Sequence, residues 1–216
     1  MKGLFISGSG TDVGKTTVAS HIIKALRGKY NVVARKPVES ACLRGADGLL
    51  AQDALRLNAA CANPEAIDVV CRFKFEACAS GEKASKQQGE VISLQDLLQS
   101  AQPTDDDDFV VIEGAGGIYS PIAKQILNSD FAASLGLPLV IVVADELGAI
   151  NQSLLAIGAA KKCGIATALL VLNQIKPNNL GNAEALRAYT DVEVVVFNTD
   201  KLAEFEATIV ALIQQR

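Results

Sequence analysis

Apolar residues along this chain gather in short runs, Leu4–Ile6, Val32–Ala34, Phe109–Ile112, Leu139–Val143, Ala168–Leu172 and Val192–Val196, and amphipathic or alanine-rich stretches of helical length separate several of them. Runs of this length, continuous in Val, Ile and Leu rather than alternating with polar residues, predict strands covered on both faces. Such strands need helices above and below, so the pattern predicts an α/β fold. Its mainly parallel β-sheet would carry helices on both faces, joined by right-handed crossovers. In sheets of this kind ligands bind beyond the carboxyl ends of the strands. That rule directs attention to Gly8–Thr16, Lys36–Ser40, Glu113–Gly117, Asp145–Asn151 and Asn173.

The interval 45–102 is the longest without a clear core strand, and within it Asp53–Leu57 reads as helical; the stretch is expected to cap the site. Gly81–Gln88 is rich in Gly, Lys, Ser and Gln with no apolar period, which predicts a mobile loop, weakly ordered without ligand. The four carboxylates Asp105–Asp108 read as a solvated turn. At 216 residues the length favours one domain, 1–216, with 45–102 as an insert inside it.

Composition narrows the chemistry. No unbroken apolar run is long enough to span a bilayer, and Met1-Lys2-Gly3 does not open a charged-then-apolar leader, so the expected location is cytoplasmic. A net charge of −4 without a basic tract gives no footprint for nucleic acid, which leaves a small-molecule partner. Five cysteines with no CxxC pair argue against a disulfide framework and predict mostly buried or half-buried thiols. The single histidine, His21, reads as helix surface, and one histidine cannot supply a His-based metal site or readily a Ser-His-Asp triad.

Directly after Leu4-Phe5-Ile6 the chain reads Ser7-Gly8-Ser9-Gly10-Thr11-Asp12-Val13-Gly14-Lys15-Thr16-Thr17. Glycines allow backbone N–H groups to wrap a polyphosphate, Lys15 can bridge the outer phosphates, and Thr16 can offer its hydroxyl to Mg²⁺. A helix starting near Lys15 adds the positive end of its dipole. The spacing from Gly8 to Gly14 is one residue longer than GxxxxGK[ST], so the match rests on context, a strand before and a helix after. With that context the expected architecture is P-loop NTPase-like. Glu113 closes a strand and precedes the small stretch Gly114-Ala115-Gly116-Gly117, which lets a ligand approach the backbone; a carboxylate there suits Mg²⁺, which takes one or two. Pro37 holds Lys36 extended at a strand end, where its ammonium can face a transferring phosphoryl group. Local sequence leaves each residue a plainer reading: Glu113 as a strand-terminal surface residue, Lys36 as a solvated lysine, Asp53 as an exposed helix face, and Asn173 as a turn former instead of a base reader.

Taken together, Thr11-Asp12-Val13-Gly14-Lys15-Thr16, Lys36-Pro37-Val38 with Ser40, Asp53-Ala54, Glu113-Gly114-Ala115-Gly116-Gly117 with Pro121, and Leu147-Gly148-Ala149-Ile150-Asn151 resemble the dethiobiotin synthetase family, from Leu4 to about Asn173. The resemblance implies synthesis of dethiobiotin from 7,8-diaminopelargonic acid, CO2 and ATP with Mg²⁺, through a carbamate and a carbamic–phosphoric anhydride. It implies catalytic roles for Lys36, Lys15 and Thr11, and metal ligation by Thr16, Asp53 and Glu113. Asp12, Val13, Gly14, Lys15, Thr16 and Thr17 would hold the nucleotide with Asp53, Glu113, Gly114, Ala115 and Gly116, while Asn173 and Gln174 would meet the base. Ser40 and the Gly116-Gly117 backbone would face the diamine. The family is a homodimer, and Leu147, Gly148, Ala149, Ile150 and Asn151 would bind the substrate's carboxylate end from the partner chain. The sequence departs from the family around Glu76–Ala84, near Ala185, at Glu146 and at Phe197-Asn198-Thr199, the capping, tail-binding and purine-contacting segments.

Two other readings share the phosphate loop. A nucleotide-switched, partner-binding ATPase of the septum-positioning or partitioning type would carry a second lysine five residues before Lys15, where Gly10 stands. An amidotransferase-linked ligase would normally continue into a glutaminase domain, for which this chain has no length.

Overall fold

The computed structural model describes residues 1–214. Strands β1 (Lys2–Gly8), β2 (Val32–Arg35), β3 (Phe109–Gly117), β4 (Leu139–Ala144), β5 (Thr167–Asn173) and β6 (Val194–Phe197) form one sheet in the order β6-β5-β4-β1-β3-β2. Every neighbouring pair is parallel. Each apolar run read from the sequence falls in or overlaps one of these strands; β6, at the sheet edge, is not covered on both faces as expected, with Val195 half-buried and Val196 exposed.

Successive side chains of each strand point to opposite faces and feed two cores. Leu4 and Ile6 of β1 pack with Val111, Val140 and Val142 on one face, against helices α1 (Lys15–Leu26), α2 (Gln52–Ala60) and, across the sheet's far half, the chain's last helix, Leu202–Gln214. Phe5 packs on the other face with Ile112, Leu139 and Ile141, beneath helices that include α3 (Gly81–Gln87), α4 (Leu94–Ser100), α5 (Asn128–Leu135) and α6 (Ala149–Lys162). Along α1, Val18, Ala19, Ile22, Ile23 and Leu26 are fully buried, a helical stripe in which each large side chain contributes about 1.5–3 kcal/mol. From β1 the chain runs out to the β2 edge, returns to β3, then crosses β1 to β4 and continues outward. Connections therefore leave β1 and its neighbours toward opposite sides, and in sheets of this kind that switch point, at the strands' carboxyl ends, is where ligands bind.

The 45–102 interval adds no strand to the central sheet. Buried Arg35 at the end of β2 ties it down: its guanidinium meets Glu65 at 2.5 Å, the Gln102 carbonyl at 2.9 Å and Thr104 Oγ1 at 3.1 Å. Three local expectations change. Gly81–Gln88 is not a loop but carries α3, because Ser80 Oγ accepts the Lys83 N–H at the helix start and the face turned inward is Gly81, Ala84 and Ser85. A Cβ at Gly81 would lie 2.3 Å from the Ile122 carbonyl oxygen, so small residues are what lets this helix pack. Asp108, unlike Asp105–Asp107, is buried and accepts hydrogen bonds from Asn31 Nδ2 (2.7 Å) and the Asp105 N–H (3.0 Å), closing its turn. His21 lies on α1 but is partly covered, its ring 5.3 Å from that of Phe197 and Nδ1 3.2 Å from Glu206 Oε1.

All five cysteines are free; Cys42, Cys61 and Cys71 are buried, Cys163 is half-buried and Cys78 exposed. The thiolate is the reactive form, and burial pushes the Cys61 thiol up to about 11 and those of Cys42 and Cys71 upward too. A thiol reagent at pH 8 is expected to label Cys78 first and Cys163 more slowly, with the other three released only by denaturant. Rapid labelling of all five in the native protein would contradict this packing.

Among the described residues, no helix is long and apolar enough to cross a membrane.

Candidate active site

The loop from β1 to α1 is built by backbone torsion. Asp12 (φ 58°) and Gly14 (φ 88°) are both left-handed, the kind of turn that forms an anion-binding concavity of amides. Gly14 also heads α1 without a side-chain cap, and the helix has no acidic residue in its first turn, so its positive end is left to a ligand. Asn173, at the end of β5, braces the bend: its Nδ2 donates to the Val13 carbonyl at 2.9 Å. Ser9 fixes the other limb, its N–H donating to the Val142 carbonyl at 2.9 Å and its hydroxyl to Gln152 Oε1 at 3.0 Å. Thr11, Asp12 and Thr17 are exposed.

Four elements converge beside this loop. Lys36, one residue beyond β2, sends its buried ammonium to Glu113 Oε1 at 2.5 Å and the Gly114 carbonyl at 3.0 Å, with Asp53 Oδ2 at 3.9 Å. Thr16, in the first turn of α1, donates its hydroxyl to the same Glu113 oxygen at 3.1 Å. The two lysines titrate in opposite directions. Burial and then the neighbouring Lys36 hold Lys15 below its usual range, and its ammonium folds back on the Gly10 carbonyl at 2.7 Å. Burial also penalises charge on Lys36, but Glu113 and Asp53 outweigh it and hold Lys36 above its usual range. Lys36 is therefore a fixed cation, ready to face negative charge without reorganisation.

Glu113 stands where β3 loses register with β1: it pairs with Ile6, and the next pairing joins Gly117 to Gly8. Asn128, at the start of α5, holds the irregular stretch, donating to the carbonyls of Ala115 (2.5 Å) and Gly117 (3.0 Å) and accepting from the Ala115 N–H. A Cβ at Gly114 would meet Asn128 Oδ1 at 2.7 Å. Gly116 is left-handed (φ 78°), and the Gly117 N–H is taken by Ser120 Oγ at 2.8 Å. Asn128 is a structural determinant that the sequence reading missed; a lone Asn at a helix start gives no sign of reaching eleven to thirteen residues back.

Glu39 was missed as well. Its two carboxylate oxygens accept the N–H groups of Asp53 and Ala54, each at 2.9 Å, at the first turn of α2. Burial raises its carboxyl above the usual range, against the pull of those two hydrogen bonds. Ser40 follows, half-buried. The remaining predicted residues stand on other elements than the Thr16–Lys36–Asp53–Glu113 cluster. Leu147 is 90% exposed, Gly148 is left-handed, Ala149 is buried, Ile150 is half-buried and Asn151 exposed, on the turn from β4 into α6. Gln174 joins β5 to the β6 end through its N–H to the Phe197 carbonyl (2.9 Å) and its Oε1 to Asn198 Nδ2 (2.7 Å).

Glu113 Oε2 is buried and has no hydrogen-bond partner among the described residues, an orphaned carboxyl oxygen in a cluster that also holds the Thr16 hydroxyl and the Asp53 carboxylate. Hard oxygen donors in this number fit Mg²⁺, which completes its shell with phosphate and water. Among the described residues, no group of three or more His, Cys, Asp or Glu side chains is placed to hold a metal ion.

A family model described as an AAA domain matches residues 2–197. The ATP-dependent dethiobiotin synthetase BioD of Ruthia magnifica subsp. Calyptogena magnifica is 50% identical, over 97% of this chain and 97% of its own. That of Vesicomyosocius okutanii subsp. Calyptogena okutanii is 49% identical, over 97% of this chain and 95% of its own. Among solved structures, a putative plasmid partition protein from Borrelia burgdorferi bound to AMPPNP has a TM-score of 0.59 at 11% identity, covering 99% of this chain and 98% of that one. The septum site-determining protein MinD complexed with Mg-ADP from Pyrococcus horikoshii OT3 has a TM-score of 0.56 at 16% identity, covering 100% and 90%. At such identities the structural likeness carries only the fold. Near-half identity sustained along almost the full length of both partners is a different matter, and by it this chain belongs to the ATP-dependent dethiobiotin synthetase family.

Proposed function

We propose that the chain closes the ureido ring of dethiobiotin, joining 7,8-diaminopelargonic acid and CO2 at the expense of ATP. One substrate amine adds to CO2 and loses a proton to give a carbamate. A carbamate oxygen attacks the γ-phosphorus as the bond to ADP breaks, giving a carbamic–phosphoric anhydride. The second amine then attacks the carbonyl carbon and loses a proton, and phosphate departs with the former carbamate oxygen.

Lys36 carries this reading: a buried ammonium, its charged form favoured by Glu113 and Asp53, held in the cluster that also contains Thr16 of the loop after β1. It would stabilise charge on the transferring phosphoryl group, the kind of electrostatic preorganisation that dominates such reactions. Lys15 would swing from the Gly10 carbonyl to the outer phosphates, with Thr11 helping to hold the carbamate. Thr16, Asp53 and Glu113 would hold Mg²⁺, which when bound neutralises phosphate charge. Asp12–Thr17 and Glu113–Gly116 would line the nucleotide, with Asn173 and Gln174 toward its base. Ser40 and the Gly116-Gly117 backbone would take the diamine. The exposure of Leu147 and Asn151 at a strand's carboxyl end suits contact with a partner subunit, and a homodimer would let Leu147–Asn151 hold the substrate's carboxylate end across the interface. An ATP-consuming biosynthetic step of this kind belongs in the cytoplasm.

Purified protein is expected to release phosphate from ATP only when diaminopelargonic acid and bicarbonate are both present, in equal amount to the dethiobiotin formed. Phosphate release indifferent to the diamine would reject the assignment.

A further inference from the structure

Glu39 takes no part in the roles above, yet it is 6% exposed among site residues, and both its oxygens are committed to one short stretch of backbone. Residue 51, where a helix usually carries its own cap, is Ala51, which offers no side-chain acceptor to the first turn of α2. The carboxylate that serves there instead arrives from fourteen and fifteen positions earlier, on the two-residue strand Val38–Glu39. That strand follows Lys36-Pro37 directly. It is pinned on its outer side by parallel pairing with Phe73–Lys74. Glu39 therefore ties the segment carrying Lys36 to the turn carrying Asp53, whose charged ends meet at 3.9 Å. A serine at position 51 could cap the helix with its own hydroxyl but would make no such tie.

We infer that Glu39 is a positioning residue, which sets where the Asp53 carboxylate stands relative to Lys36 and Glu113 and thereby the affinity of the site for its divalent cation. The inference rests on the reading of Asp53 as a metal ligand. Groups that orient a metal's ligands typically change metal affinity by about 10–100-fold when altered. Glutamine at position 39 keeps the size but only one acceptor oxygen, and its NH2 group opposes the second N–H.

The test uses Mn²⁺ as a spectroscopic probe, its free concentration followed by electron paramagnetic resonance with the full-length protein saturated in ADP. In Glu39→Gln the Mn²⁺ dissociation constant is expected to rise about tenfold, while ADP affinity measured without metal stays within about twofold. Asp53→Asn should weaken Mn²⁺ binding by itself, and adding Glu39→Gln to it should cause no further loss. Ala51→Ser combined with Glu39→Gln separates positioning from capping: thermal stability should return and Mn²⁺ affinity should not. Recovery of both, or unchanged Mn²⁺ affinity in Glu39→Gln beside a weakened Asp53→Asn, overturns the inference alone. Unchanged affinity in Asp53→Asn overturns the metal reading beneath it, and the inference with it.

Discussion

Lys36→Met is expected to lower kcat by about 10²–10³-fold, the cost of losing one preorganised donor to a developing oxyanion, while ADP binds within a few-fold of the parent. On the proposed reading the ammonium serves the reaction and not ground-state nucleotide binding: its contacts are Glu113, the Gly114 carbonyl and Asp53, whereas the loop proposed to cradle phosphate carries its own lysine. Stability complicates the reading. Removing Lys36 leaves the Glu113 carboxylate buried and uncompensated, a loss of about 3–5 kcal/mol for a broken buried pair. Lys36→Met with Glu113→Gln removes that charge as well, so the double variant should regain melting temperature over the single one without regaining kcat. Parallel recovery of both would reduce Lys36 to a structural partner of Glu113. Equal losses in kcat and ADP affinity would remove it from the phosphoryl-transfer step.

Gly14→Ala is expected to weaken ADP binding by at least about 10²-fold and to lower the melting temperature. Two independent constraints act at this position. The backbone is left-handed, where a non-glycine residue costs about 1–3 kcal/mol. The added Cβ would also lie 1.9 Å from Asn173 Nδ2, so the amide must abandon the Val13 carbonyl, leaving a buried group unpaired at about 1–3 kcal/mol. The loop relieves both by moving, and the movement destroys the cradle. Asn173→Gly on the same background removes the steric partner but leaves the torsion, so part of the stability should return while affinity stays low. Calorimetric titration with ADP reads the outcome, and parental affinity in Gly14→Ala would show that the bend is unnecessary for binding.

What could be read from the chain and what could not divide along sequence distance. Five strands announced themselves because double-sided burial demands unbroken apolar runs, and those runs are local; the edge strand β6, with Glu193 inside its run and Val196 exposed, was legible from its valines alone. Lys36 and Glu113 were visible because a polar residue at the end of such a run has only the sheet's carboxyl edge to occupy. Their meeting at 2.5 Å was implied by β3 lying beside β2, which no run of residues states. Helix α3 was hidden because its packed side is Gly81, Ala84 and Ser85, residues that leave no apolar period; what holds them is close contact with a carbonyl of a distant segment. Glu39 and Asn128 were overlooked for a related reason. Each satisfies backbone groups eleven or more positions away, so neither forms a pattern with its neighbours. Asn173 was read as a candidate for the base, and its observed bond is to the Val13 carbonyl, an interaction that fixes the loop against the end of β5.

The most direct test of phosphoryl transfer to a carbamate in the Lys36 crevice follows one oxygen atom. In a single turnover, shorter than the exchange of CO2 oxygens with water, C¹⁸O2 is supplied with diaminopelargonic acid and ATP, and the released phosphate is analysed by mass spectrometry. One ¹⁸O per phosphate is expected, carried from the carbamate through the anhydride, with the second retained in the ureido carbonyl. Phosphate free of ¹⁸O, and labelled instead when the water is, would mean that this site hydrolyses ATP and passes nothing to a carbamate.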